Sequence, residues 1–391
     1  MGNSIQELID MKILYIINKM TNLAGIERIL TCKMNYLSDT TNYQVFLTTY
    51  EQNGKALSFP LNPKIMYQPM NAPMPQRENQ SFISWLASYF RARKIFRQEI
   101  KVLLKEFQPD ILICTNYSFQ VLDIILNISQ KLKIKTVLES HTKSETVSMA
   151  YKFQYHQQLY KLIRIWDENI LKSLKYCQCV VTLTKRDIPF WQQNAKRIEV
   201  IPNMLTITPK YVTNYNAKRV ISAGRYMTEK GFDRLLSAWH LLPESYNDWS
   251  LYIFGNEDRT PYQHIVDSYR LSDKVHLMPA TNNIADEFSM SSLYVMTSRY
   301  EGFGLVLAEA MSCGLPCIAF DCPYGPREII TNGDDGILVK DGDIKELATQ
   351  MQLLMSNADL RKTMGEKAIK NIGRYNPERI MDQWDNLLNS I

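Results

Sequence analysis

Short apolar, β-branched runs bounded by polar turns alternate along this chain with longer stretches in which apolar residues recur every three to four positions. The runs read as strands buried on both faces and the longer stretches as amphipathic helices, so the alternation predicts βαβ units and parallel sheets. In the first half the predicted strands are 13–17, 44–49, 111–115, 136–139, 180–183 and 199–201. After a stretch of low order around 206–216 the pattern restarts with 220–223, 250–254, 275–278, 293–297, 317–320 and 337–339. The expected fold class is therefore α/β, with two doubly wound domains that meet near 204–217. Ligands of open parallel sheets bind beyond the carboxyl ends of the strands, so the residues where strands stop carry the most weight.

A length of 391 residues fits two or three domains, and 45% hydrophobic with 22% charged residues excludes a disordered chain. No apolar run reaches the ~18 residues of a membrane span; even 121–128 is broken by Asp123 and Asn127. The first ten residues lack an apolar segment, and Gln6 stands where myristoylation requires Ser or Thr, so neither export nor acylation is expected. Seven cysteines with no C-x-x-C pair read as reduced thiols of a cytoplasmic protein.

Charge changes the picture more. Residues 1–200 hold 26 Lys and Arg against 16 Asp and Glu, whereas the remainder is net acidic. The first half is thus the part expected to face an anionic partner. Its densest stretch carries Arg91, Arg93, Lys94, Arg97, Lys101 and Lys105 among Trp85, Tyr89, Phe90, Phe96 and Leu103, a basic amphipathic helix of the membrane-surface type or a merely solvated one. A second stretch, 151–176, mixes Lys152, Lys161, Arg164, Lys172 and Lys175 with Tyr151, Phe153, Tyr155, Tyr160 and Trp166. No RNP-like, zinc-finger or helix-turn-helix signature accompanies these cations, so no nucleic-acid partner is expected.

The candidate chemistry lies at strand ends. The strand 220–223 runs into Gly224-Arg225 and then Lys230-Gly231 before a helix, and a guanidinium and an ammonium at such a mouth suit a diphosphate. The strand 293–297 leads into Glu301-Gly302-Phe303-Gly304, where the glycines let backbone approach a ligand and the free N–H groups of Leu305 and Val306 face an anion. Leu307 stands where a dinucleotide motif would place its third Gly. Eight helical residues would rise ~12 Å, so Glu301 and Glu309 do not form a ~5 Å retaining-hydrolase pair. Separate jobs follow: Glu301 near the reacting group, Glu309 as acceptor for a ribose diol. His141 ends a strand of the first half, and Gly25 with Glu27 and Arg28 opens its first helix. Asp341-Gly342-Asp343 reads as a turn and helix cap rather than a metal site, and Cys313 with Cys317 lacks partners at zinc spacing, so no metal is expected.

Together Gly224-Arg225, Lys230-Gly231, Glu301-Gly302-Phe303-Gly304 and Glu309 resemble the signature of family 4 retaining glycosyltransferases with the GT-B fold. The likeness extends from about Lys12 to the C-terminus, through Ile201-Pro202-Asn203 and Asn332-Gly333. It implies two Rossmann-like domains facing a cleft: an acceptor domain over 11–205, a linker at 206–217, a nucleotide-sugar domain over 218–375, and a final helix over 376–391 that crosses back to the first domain. Residues 1–10 have no counterpart and read as an extension.

By that resemblance Arg225 and Lys230 bind the donor diphosphate, Glu309 holds the ribose, Glu301 contacts the donor sugar, and the backbone at Leu305 and Val306 touches phosphate. His141 corresponds to the family's histidine at the donor sugar, while Gly25 and Glu27 correspond to the glycine-rich loop between donor and acceptor. Ala24 replaces that loop's usual second Gly, and Asn256 follows Gly255 where many members carry another Gly.

The implied reaction is retaining and metal-independent. It transfers a hexose from a UDP-hexose or UDP-N-acetylhexosamine to a glycan, as in polyprenyl-diphosphate-linked intermediates of surface polysaccharide, at the cytoplasmic face of the inner membrane. A sugar-nucleotide epimerase of the same architecture and a non-catalytic nucleotide-sugar-binding protein are the alternatives.

Overall fold

In the computed structural model, which describes residues 11–22, 24–75, 81–141 and 157–391 (side chains 82, 117 and 157–162 excepted), the apolar runs form two parallel sheets, one in each of two units. Unit 1 comprises Met1–Pro202 with Ile380–Ile391, and unit 2 comprises Asn203–Arg379. The expected extension at 1–10, and Tyr151, Lys152, Phe153 and Tyr155 of the second basic stretch, lie outside the described residues.

Unit 1 holds β1 (Lys12–Ile17), β2 (Gln44–Thr49), β3 (Met66–Tyr67), β4 (Ile111–Thr115), β5 (Lys135–Ser140), β6 (Cys179–Thr182) and β7 (Ile198–Val200), in the order β3-β2-β1-β4-β5-β6-β7. β1 pairs in parallel with β2 on one side and β4 on the other, so the strand order reverses between β1 and β4. All five residues of β4 are buried, as a central strand covered on both faces requires. β3, at the sheet edge, is too short to leave a pattern in the sequence.

The helix Phe82–Phe107 starts on Ser81, whose side chain accepts from the Ser84 N–H, and stops at Gln108 in the left-handed conformation. Trp85, Tyr89, Phe96, Ile100 and Leu103 recur at helical spacing and bury one face in the core of unit 1. The opposite face exposes Ile83, Phe90 and Val102 beside Arg91, Lys94, Arg97, Lys101 and Lys105. Arg93 departs from the expected basic face. It is 8% exposed, donates to the Gln120 carbonyl and, at 2.6 Å, to Asp123, and lies against the rings of Tyr89 and Trp166. Its position among Tyr89, Ala92 and Phe96 places it on the buried stripe, where a cation needs these partners.

Unit 2 holds β8 (Arg219–Ala223), β9 (Ser250–Gly255), β10 (Val275–Pro279), β11 (Leu293–Met296), β12 (Cys317–Phe320) and β13 (Gly336–Val339), in the order β10-β9-β8-β11-β12-β13. β8 and β11 are neighbours at the reversal point, so the loops that follow them emerge side by side. Residues 206–217, expected as a linker, group with unit 2. There Thr213 donates to the carbonyls of Phe288 and Ser291, and the buried Arg361 donates through Nε and Nη2 to the Tyr215 carbonyl. The C-terminal helix Pro377–Ser390 buries Ile380, Met381, Trp384, Leu387 and Leu388 along one stripe, and within unit 1 Tyr43 donates to Asp385 at 2.5 Å.

Candidate functional site

In unit 2 the loops after β8 and β11 bring two of the expected residues, Lys230 and Glu301, together. Lys230 Nζ donates to Glu301 Oε1 at 2.7 Å, and the Ser298 hydroxyl donates to the same oxygen at 2.6 Å. Neither partner is sealed from water: the Lys230 and Glu301 side chains are 22% and 11% exposed. A Cβ on Gly224 would stand 3.1 Å from Lys230 Cδ, so the glycine gives the lysine stem room to lie across the end of β8. Gly231, at φ 65°, turns the chain from Lys230 into the helix Phe232–His240; a Cβ there would overlap the Thr297 carbonyl oxygen. Arg225 is exposed, and no partner for its guanidinium is found among the described residues.

Arg299 stitches the two loops. Its backbone N–H donates to the Glu229 carbonyl at 2.7 Å and its guanidinium to the Thr228 carbonyl at 2.6 Å. The guanidinium also forks onto both oxygens of Asp233, at 2.9 and 2.7 Å. Burial pushes Asp233 up, but the Arg299 fork holds its carboxyl below the usual range. Neither residue is marked by the sequence pattern, since their partnership depends on the side-by-side exit of β8 and β11.

Gly304, at φ 94°, precedes the helix Leu305–Ser312, which has no side chain capping its start. The first N–H groups, on the half-buried Leu305 and Val306, are therefore unused by a cap and suit an anion. Phe303 is core: its ring meets Tyr375 edge-on at 5.2 Å, so only its backbone remains for a ligand. Glu309 lies on the buried side of the helix at 1% exposure and accepts from the Thr206 hydroxyl at 2.5 Å. No motif marks Thr206, which comes from the stretch expected as a linker.

In unit 1 Gly25 opens the helix Gly25–Thr40 and Glu27 sits in its first turn, buried at 4% exposure. His141 follows β5. Its backbone N–H donates to Asn116 Oδ1 at 3.1 Å beyond the end of β4, and its ring Nε2 is 2.7 Å from Glu139 Oε2. The other oxygen of Glu139 accepts from Lys33 Nζ at 2.6 Å, and the Lys33 ammonium lies 3.4 Å from the centre of the Trp384 ring. Burial alone would raise Glu139, yet Lys33 and His141 bring it down to about 2; burial draws Lys33 downward against the pull of that carboxylate. No motif marks Lys33 or Glu139, although both carry a signal in the sequence. Lys33 stands on the buried stripe of Ile29, Leu30, Met34 and Leu37, and Glu139 ends an apolar strand. Among the described residues no group of three or more His, Cys, Asp or Glu stands close enough to hold a metal ion, and no helix is long and apolar enough to cross a membrane.

Residues 205–371 match the family model of glycosyl transferases group 1. The amylovoran biosynthesis glycosyltransferase AmsD of Erwinia amylovora is 27% identical over 390 residues, covering 97% of this chain and 99% of that one. Among solved structures, the sucrose-phosphate synthase of Thermosynechococcus elongatus superposes with a TM-score of 0.76 at 18% identity, covering 97% of this chain and 98% of that chain. HepE of Anabaena, in complex with UDP and glucose, superposes with a TM-score of 0.70 at 17% identity, covering 97% of this chain and 100% of that chain. The fold is GT-B.

Proposed function

We propose that this chain, a glycosyltransferase of the GT-B superfamily, is a retaining, metal-independent hexosyltransferase that takes its sugar from a UDP-linked donor. The acceptor is a glycan, in the form of a polyprenyl-diphosphate-linked intermediate of surface polysaccharide synthesis. The observation that carries this reading is the meeting of Lys230 with Glu301 at the ends of β8 and β11, beside an exposed Arg225 and an uncapped helix start. AmsD, named for amylovoran biosynthesis, supports the polysaccharide part, and the UDP and glucose bound to HepE support the donor class.

In this mechanism Arg225 and Lys230 stabilise the charge that grows on the departing diphosphate, and the N–H groups of Leu305 and Val306 add to it. Glu301 accepts from hydroxyls of the donor sugar and Glu309 from the ribose. His141 and the Gly25–Glu27 turn serve the sugar and acceptor side. The bond from the anomeric carbon to the phosphate oxygen breaks as the bond to the acceptor oxygen forms on the same face, and the acceptor proton passes to the leaving phosphate. Retention of configuration then needs no carboxylate nucleophile.

Thermal stabilisation by a panel of UDP, GDP, ADP and their sugar conjugates tests the donor. Uridine donors at a hundred times Kd add about 2.7 kcal/mol, a plain rise in melting temperature, and guanosine and adenosine forms add less. Equal shifts from all bases, or none from any, contradict the donor reading.

The exposed face of the helix Phe82–Phe107 supports contact with an anionic membrane, since Ile83, Phe90 and Val102 alternate there with five cations. Such contact fits an enzyme that works at the cytoplasmic face of the inner membrane. At about 1 kcal/mol per cation, changing Arg91, Lys94 and Arg97 together to Glu lowers affinity for anionic vesicles by about a hundredfold or more in co-sedimentation. Unchanged sedimentation removes the membrane from the account. Arg93 stays out of this set because its charge is used inside the fold.

A further inference from the structure

Lys33, Glu139 and His141 form a continuous buried chain in unit 1, of which the proposed transfer calls on His141 alone. Lys33 and Glu139 have side chains 4% and 3% exposed, and such a pair is poor value as a structural device. An apolar pair of the same volume stabilises a core as well or better, so this buried pair is better explained by what it does to a third group. Here the third group is His141, because strand geometry puts Glu139 and His141 on one side of β5 and its extension.

The carboxylate fixes how the imidazole is protonated. With Lys33 on one oxygen, Glu139 is ionised and can only accept, so the hydrogen of the 2.7 Å contact belongs to His141 Nε2. In the neutral ring this leaves Nδ1 as the acceptor. The backbone is held as well: the His141 N–H is anchored on Asn116, and the Ser140 hydroxyl donates to Asp187 Oδ2 at 2.7 Å. Lys33 is in turn covered by the Trp384 ring, so a residue of the C-terminal helix closes the far end of the chain.

We propose that Glu139 is a positioning residue that holds His141 in the Nε2-protonated form with Nδ1 presented as an acceptor, and that Lys33 under Trp384 keeps Glu139 ionised for that task. The inference rests on the reading of His141 as a residue of the donor-sugar side.

Nitrogen-15 NMR of the full chain labelled at histidine tests it, with the His141 ring signals assigned by their loss in His141→Asn. Wild-type protein is expected to show His141 protonated at Nε2, and an Nδ1-protonated ring overturns the proposal without any variant having to fold. In Glu139→Gln the amide can donate as well as accept, so the ring is expected to become a mixture of tautomers. The transfer kcat is expected to fall at least about tenfold, with the donor KM changed less than about threefold. An unchanged ring together with wild-type kcat in this variant overturns the positioning role. A wild-type chain with the expected tautomer but no transfer to any acceptor overturns the transferase reading instead, so the two failures are told apart.

Discussion

Glu301→Gln lowers kcat/KM for sugar transfer by about a hundredfold in a protein that remains folded. The carboxylate of Glu301 stands 2.7 Å from Lys230 and 2.6 Å from the Ser298 hydroxyl, at the mouth of a helix whose first N–H groups are uncapped. A carboxylate there accepts from sugar hydroxyls through charge-assisted bonds, each worth about 1.5–3 kcal/mol, and an isosteric amide keeps the shape while losing the charge. The fold tolerates the change. The ion pair with Lys230 is partly open to water, so its loss costs about 1 kcal/mol or less of stability. Steady-state rates with a sugar nucleotide and a competent acceptor, beside melting curves, separate the two effects. Near-wild-type turnover takes Glu301 out of the site.

Gly231→Val destabilises unit 2 by about 3 kcal/mol or more and weakens donor binding with it. The backbone at Gly231 has φ 65°, which a β-branched residue adopts only under strain. The added Cβ also meets the Thr297 carbonyl oxygen, a backbone atom at the end of β11 that cannot swing aside. Either the helix Phe232–His240 or the loop bearing Lys230 has to move. Gly333→Ala is the control: its φ is 79°, yet nothing lies within 4 Å of the added Cβ, so it costs only the strain, about 1 kcal/mol. Chemical denaturation of both variants measures the difference, and equal losses show that the close approach at Thr297 is unimportant.

The parallel sheets were legible because their strands are buried on both faces and leave unbroken apolar runs such as that from Ile111 to Cys114. The positions of Lys230 and Glu301 beyond strand ends were legible for a related reason. Lys230 and Glu301 follow strands, and ligands gather where parallel strands end. What could not be read is what only the third dimension brings together. Arg299 finds Asp233 because β8 and β11 happen to be neighbours. Thr206 reaches Glu309 from a stretch with no pattern of its own, and Trp384 covers Lys33 from the far end of the chain. Arg93 shows the opposite failure. Its neighbours in sequence made it one cation among six, while its place on the helix turned it inward to Asp123 and two aromatic rings. Lys33 carries the same lesson in reverse, since a cation on an apolar stripe announces a buried partner that the strand 136–139 already contained.

The central claim is that unit 2 holds a nucleoside diphosphate on Lys230, and titration calorimetry of the full chain with UDP tests it most directly. Wild-type protein is expected to bind UDP, and Lys230→Ala to bind it about ten- to a hundredfold more weakly, the loss of one charge-assisted contact to phosphate. Equal affinity in the two proteins, or no binding by the wild type, contradicts the account.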